Sequence, residues 1–262
     1  MDCRLCGKPA KIVKSHIIPE FYYKSLYDHK HRFFTIDIDS SVNNTFLQKG
    51  LREKLLCQTC ESNLSRYEEY VYDVIYNKKP NGVILKDNVF QFNNINYSYI
   101  RLCYLSILWR MSVSSLDFFK DVKLGPHESR IKDMIVHKNP GEPNQYGFLC
   151  IAPIINGKIY SGWISQPDKV RANGHSAYRI VIGGLLYVFF ISRHNLPTTV
   201  TERFVQKAGC WIIDAKDARH IPLIDSLFSE ACKAQNTRKI KGKIGEGSKN
   251  ISMYGPESAS PY

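Results

Sequence analysis

The chain has no apolar run long enough to cross a bilayer: its longest stretch, from Ile180 to Ser192, is interrupted by Gly183 and Gly184 and falls short of the ~18–20 residues a span needs. Acidic residues are also few. The 24 Asp+Glu face 36 Lys+Arg, a formal charge of +12, which directs attention to an anionic partner. Neither an internal repeat, nor a Gly-rich phosphate loop, nor a G-x-S-x-G elbow occurs, so solenoid, P-loop and serine-hydrolase readings have no support. What is present is packing material. With 262 residues, 44% apolar and 12% aromatic, the chain has enough to build one large or two small cores, and disorder over most of its length is excluded. The opening Met-Asp-Cys-Arg-Leu-Cys lacks the charged-then-apolar layout of a secretory signal, so the eight cysteines are expected in a reducing cytoplasm, with no membrane partner.

Four of those cysteines form two close pairs, Cys3-x-x-Cys6 and Cys57-x-x-Cys60, and the others (Cys103, Cys150, Cys210, Cys232) stand alone in apolar surroundings. A C-x-x-C step brings two thiolates to one ion from a tight turn, and two such steps complete a tetrahedral zinc site. Gly7 fits the sharp knuckle after Cys6. The isolated cysteines read as small buried hydrophobes. After Cys60, the apolar positions Leu64, Tyr67, Val71, Val74 and Ile75 recur at three- and four-residue steps, with Glu61 in the first turn, so the second pair opens a helix. A knuckle, an intervening stretch and a pair on a helix N-terminus describe a treble-clef module holding Zn2+.

Lys78-Lys79-Pro80-Asn81-Gly82 breaks the pattern and places a first boundary, giving a zinc module over 1–80, an α+β domain over 81–234 and a basic tail over 235–262. In the second domain, 89–92 reads as a strand and 97–114 as a buried helix, with Arg101 and Arg110 assigned to its polar side or ends. Another helix follows Gly125-Pro126. Residues 148–155 and 159–164 around Asn156-Gly157 read as a hairpin, and 178–182 with 185–191 as another strand pair, together an antiparallel sheet. A last helix is expected over 222–234. Asp117, Asp121, His127, Glu128 and Arg130 match no catalytic spacing and read as solvated helix ends. His175, His194 and His220 carry no assignment.

Between the cysteine pairs lies Lys14-Ser15-His16-Ile17-Ile18-Pro19. A C-x-x-C, a His-apolar-apolar-Pro run and a second C-x-x-C opening a helix together resemble the zinc-stapled members of the HNH (ββα-metal) endonuclease family, over about residues 1–75. The resemblance implies a metal-dependent nuclease acting on nucleic acid, DNA foremost, in a bacterial or phage-related defence setting. It implies His16 as general base toward water, and a divalent ion, Mg2+ or Mn2+, distinct from the structural zinc. The position before His16, ordinarily an Asp or His ligand, is Ser15; the position after the second pair, ordinarily Asn or His, is Glu61, a hard-oxygen donor. The family's orienting Asn or His falls near Arg52, which does not reproduce it.

Lys14, Arg52 and Lys54 are candidate nucleic-acid contacts, as are Lys239 and Lys241 in the densest basic cluster, 238–243. Tyr22, Tyr23, Phe33 and Phe34 belong either to that face or to the module's core. His29 and His31 read as incidental loop residues. The alternative function is a non-catalytic zinc module that binds nucleic acid or a protein; under the first reading the second domain positions substrate or receives a signal from a regulatory protein partner, and in a third the zinc module only staples the fold while the sheet over 146–192 holds a small ligand or makes a homodimer.

Overall fold

The computed structural model of this mixed α+β chain describes residues 1–35, 46–77, 81–86, 88–159, 161–227 and 229. Near the N-terminus, strand β1 (Ile12–His16) pairs antiparallel with β4 (Arg52–Cys57), which runs directly into helix α1 (Gln58–Ile75). The chain between them holds a 3-10 turn, Glu20–Tyr23, and a small ribbon of β2 (Arg32–Phe34) and β3 (Phe46–Gln48).

The remainder is built on one sheet. Its strands are β5 (Asn81–Lys86), β6 (Val89–Asn93), β7 (Phe148–Ile154), β8 (Asp168–Ala172), β9 (His175–Ile182), β10 (Leu185–Phe190) and β11 (Trp211–Asp217), in the order β5-β6-β11-β7-β10-β9-β8. Helices α2 (Tyr97–Val113) and α3 (His127–Val136) pack together on it, and residues 222–227 are helical. No helix among the described residues is long and apolar enough to cross a membrane.

The sheet departs from the antiparallel expectation at one pairing, because β11 enters between β6 and β7 and runs parallel to β7. That placement also undoes the expected hairpin. Asn156 and Gly157 do take positive φ (49° and 76°) and close a tight turn, with Ile155 bridged to Lys158. Yet β7 already has β10 on one side and β11 on the other, so the returning residues find no free edge, and Ile164 bridges Ile182 instead. The pair of β9 and β10 around Gly183-Gly184 forms as the pattern predicts.

Both faces of the sheet are covered, which explains the unbroken apolar run of β10. Tyr187 and Phe189 face α2, where Tyr104 packs against both rings; Val188 and Phe190 join Leu196 and Phe204, and Leu186 joins Ile221 and Ile224, on the opposite side. α2 is buried nearly all round, as expected of a helix without a polar face. Its two arginines, Arg101 and Arg110, are buried at 1% and 0% exposure rather than lying on a polar side, and Arg110 falls in the last turn, an end position as expected. Arg101 is accommodated because its fork donates to converging main-chain oxygens of Tyr146, Pro140, Glu142 and Gln145.

One hydrophobic core joins the cysteine-bearing part to the sheet: Ile17, Leu64 and Val74 belong to the same cluster as Ile100, Trp109 and Tyr187. Across this junction three buried phenols close a hydrogen-bonded triangle, Tyr22 to Tyr104 at 2.9 Å, Tyr104 to Tyr187 at 2.8 Å and Tyr22 to Tyr187 at 3.3 Å. Tyr22, Tyr23 and Phe33 are thus core residues, not a stacking face. Residues 78–80 of the expected boundary, the expected helical residues beyond 229, and the tail with Lys239 and Lys241 lie outside the described residues.

Candidate metal and nucleic-acid site

The four sulfurs of Cys3, Cys6, Cys57 and Cys60 lie within 4.8 Å of one another, and Cys6 Sγ is 3.9 Å from Cys57 Sγ. A tetrahedron with Zn–S bonds of about 2.3 Å has edges of about 3.8 Å, so the set is placed to hold one ion such as zinc. The first pair sits on a turn that Gly7 releases at φ +71°. The second spans the end of β4 and the first turn of α1. Burial raises the Cys3 thiol, but the backbone N–H groups of Cys6, Cys57 and Leu5 outweigh it and hold the pKa at about 7. The Cys57 N–H donates to Cys3 Sγ at 3.3 Å, the hydrogen bonding that thiolate ligands require.

β1 and β4 sort the remaining candidates by face. Lys14 lies opposite Lys54, Ser15 opposite Glu53 and His16 opposite Arg52. Alternation therefore puts Lys14, Lys54, His16 and Arg52 on one side of the ribbon and Ser15 and Glu53 on the other. Lys14 and Lys54 are exposed, Arg52 is half-buried, and none of the three has an ion-pair partner among the described residues. Like charges facing each other across a ribbon repel, a cost that a bound anion removes.

The His16 ring rests near Tyr23, with Nε2 3.1 Å from the Lys49 carbonyl oxygen. A carbonyl only accepts, so the neutral imidazole carries its proton on Nε2 and leaves Nδ1 as a lone pair without a partner among the described residues. Burial is the main influence that lowers the His16 pKa below its ordinary value, with Arg52 adding to it and Glu20, the Lys49 carbonyl and Glu68 opposing. Gly50 makes room for this arrangement: at φ +66°, an added Cβ would sit 3.0 Å from the Tyr23 ring and 3.1 Å from His16 Cδ2.

On the inner face Ser15 is fully buried, and neither its Oγ nor Glu61 Oε2 has a hydrogen-bond partner among the described residues. Burial pushes the Glu61 carboxyl pKa up; the Ser15 hydroxyl, near enough to lower it yet outside hydrogen-bonding geometry, opposes this together with Arg110, while Glu68 adds to the rise. Glu53 uses its inner position differently. Its carboxylate accepts from Ser114 Oγ at 2.8 Å, Ser115 N at 2.8 Å and Ser115 Oγ at 2.7 Å; burial works against ionisation, but these donors prevail and its pKa falls.

Arg110 ties the two faces together and was not legible as a site residue. From the last turn of α2 its Nη1 donates to the His16 carbonyl oxygen at 2.6 Å and its Nη2 to Glu68 Oε1 of α1 at 2.6 Å, while Ser106 takes two further bonds. The available signal was an arginine, one of two, inside an otherwise largely apolar helical run. The structure therefore groups Ser15 with Glu61 and His16 with Lys49 and Arg52, with Arg110 and Glu68 adjoining both groups. Lys239 and Lys241 are not described. No protein-family model, curated protein or solved structure matches the chain.

Proposed function

We propose that the chain is a zinc-stapled, metal-dependent nuclease of the HNH type, built on a treble clef of knuckle, β1–β4 ribbon and α1, and hydrolysing phosphodiester bonds of DNA in the cytoplasm, in a bacterial or phage-related defence setting. The observation that carries the reading is His16: its Nε2 proton is committed to a main-chain carbonyl, so its Nδ1 lone pair is without a partner among the described residues, on a ribbon face that also bears Lys14, Arg52 and Lys54. That is the arrangement a general base toward water requires beside groups that neutralise phosphate.

Ser15 Oγ and Glu61 Oε2, two adjacent buried oxygens without partners, suit a hard divalent cation. Ser15 and Glu61 would hold Mg2+ or Mn2+, which when bound would supply charge stabilisation at the scissile phosphate and the departing oxygen. His16 takes the proton of the attacking water at Nδ1. Arg110 fixes the His16 main chain, and the basic face orients the strand.

The test is cleavage of supercoiled plasmid, single-stranded DNA and RNA by purified protein with Mg2+, Mn2+ or EDTA, beside His16→Ala and Glu61→Ala, with zinc measured on each sample. The expected result is ion-dependent cutting lost in both variants with zinc retained. Cutting by His16→Ala at the parent rate contradicts it.

One observation favours a second reading. The His16 ring and Ser15 leave the ribbon on opposite faces, as suits a module that binds an anionic strand or a protein without cutting it. Salt-dependent DNA binding that Lys14→Gln and Lys54→Gln weaken, with no cleavage under any ion, selects that alternative.

A further inference from the structure

Away from the cysteine cluster, a cavity of about 410 Å3 opens between the start of α3 and the segment that follows β10. The volume lies in the range of small-molecule pockets. Its walls carry four basic or titratable nitrogen groups, His127 and Arg130 from α3 and Arg193 and His194 from the segment after β10. Gln145, Ser192 and Ile191 complete the lining, so no carboxylate faces the space. Neither Arg130 nor Arg193 has a hydrogen-bond or ion-pair partner among the described residues. Glu128, the acid beside His127 in the chain, is engaged by the Ser112 hydroxyl at 2.9 Å.

His127 and the main chain beside Arg193 are held in place before anything binds. Tyr146 Oη lies 3.1 Å from His127 Nδ1, which leaves Nε2 for the cavity. Ser192 Oγ accepts the His194 N–H at 3.0 Å and lies 3.1 Å from His175 Nδ1, fixing the loop that carries Arg193. His127 opens a helix of 10 residues, and Arg130 follows in its first turn on the same wall. The crowding registers in the His127 imidazole: burial first, then Arg130, Arg193 and His194, lower its pKa below the ordinary histidine value.

From this convergence we infer that the cavity is an anion site for a phosphomonoester, carried either by a free mononucleotide or by the 5′ end of a nucleic-acid strand. Two guanidinium forks match the planar, multiply accepting faces of phosphate, and their two fixed charges match its dianion. Ile191 offers an apolar wall and Gln145 an amide beside it, which suit the attached nucleoside. The site is independent of His16 and of the nuclease reading: it serves a regulatory ligand or the end of a bound strand under either.

The test is calorimetric titration of the full zinc-loaded chain at constant ionic strength with inorganic phosphate, adenosine 5′-monophosphate, adenosine, and a short oligonucleotide with and without a 5′-phosphate. Each is repeated on Arg130→Gln/Arg193→Gln and on His194→Gln. The expected result is saturable binding of the phosphate-bearing probes, none of adenosine, and a loss of about tenfold or more in the double arginine variant with thermal stability and zinc content unchanged. The mononucleotide binding more tightly than the phosphorylated strand assigns a free ligand; the reverse assigns a strand end. No binding of any phosphate-bearing probe, equal binding of the two oligonucleotides with no response to the mononucleotide, or parent-like affinity in the double variant overturns the inference. His16→Ala retains the binding, so failure here and failure of the nuclease reading separate.

Discussion

The cysteine-bearing region and the sheet share one hydrophobic core but differ in what they add to it. The described residues of 1–77 have a two-stranded ribbon, a second small ribbon and one amphipathic helix, and add to the core four cysteine sulfurs close enough to hold one ion. Residues 81–227 have seven strands with apolar cover on both faces and hold their shape by burial. Among the described residues, the buried side-chain oxygens without partners, Ser15 Oγ and Glu61 Oε2 among them, fall in the first region, and α2 reaches it from the sheet through Arg110.

Removing the metal breaks this comparison most severely. Cys57→Ser, or chelation of the parent protein, is expected to abolish zinc binding and strip amide-exchange protection from β1, β4 and α1, because structural zinc supplies folding free energy on the order of 10 kcal/mol. Amides of β9 and β10 stay protected, and hydrogen exchange read by mass spectrometry checks both halves. Next comes the tie between the regions. Arg110→Ala leaves Glu68 and the His16 carbonyl without their donor and is expected to destabilise the chain by about 3–5 kcal/mol in urea denaturation, with Arg110→Lys intermediate. Glu53→Gln removes a charged acceptor from three donors, an expected loss of about 1.5–3 kcal/mol at neutral pH. Because the folded Glu53 pKa is lowered, its contribution is complete above the ordinary carboxylate range and is lost as pH falls through the folded value, so parent and variant converge in acid. Smallest is Tyr104→Phe, which opens the phenol triangle and costs about 1 kcal/mol without altering zinc content.

The chemistry-bearing residues of the first region were legible because spacing alone identifies them: two C-x-x-C steps with a glycine knuckle converge in space as the pattern predicts. The helices and the β9–β10 pair were legible from periodicity and from paired glycines. What escaped depends on neighbours distant in sequence. Trp211–Asp217 is a strand whose second half is charged, and only its insertion beside β7 reveals it. The turn at Asn156-Gly157 was correctly local, but which strand takes the edge it offers is a global competition. Arg110 and Arg101 looked like surface residues because their partners, the His16 carbonyl and a loop of main-chain oxygens, carry no side-chain signature. The basic cavity escaped for the same reason, since His127 and Arg193 lie far apart in the chain.

The most direct test of the central claim is single-turnover cleavage of a labelled DNA duplex by zinc-loaded protein as Mn2+ is titrated, with parent and His16→Ala compared and zinc counted at every point. The account predicts cleavage that rises with Mn2+ at constant zinc and falls by about two orders of magnitude or more without the imidazole. Cleavage that follows zinc instead of Mn2+, or that persists in His16→Ala, contradicts it.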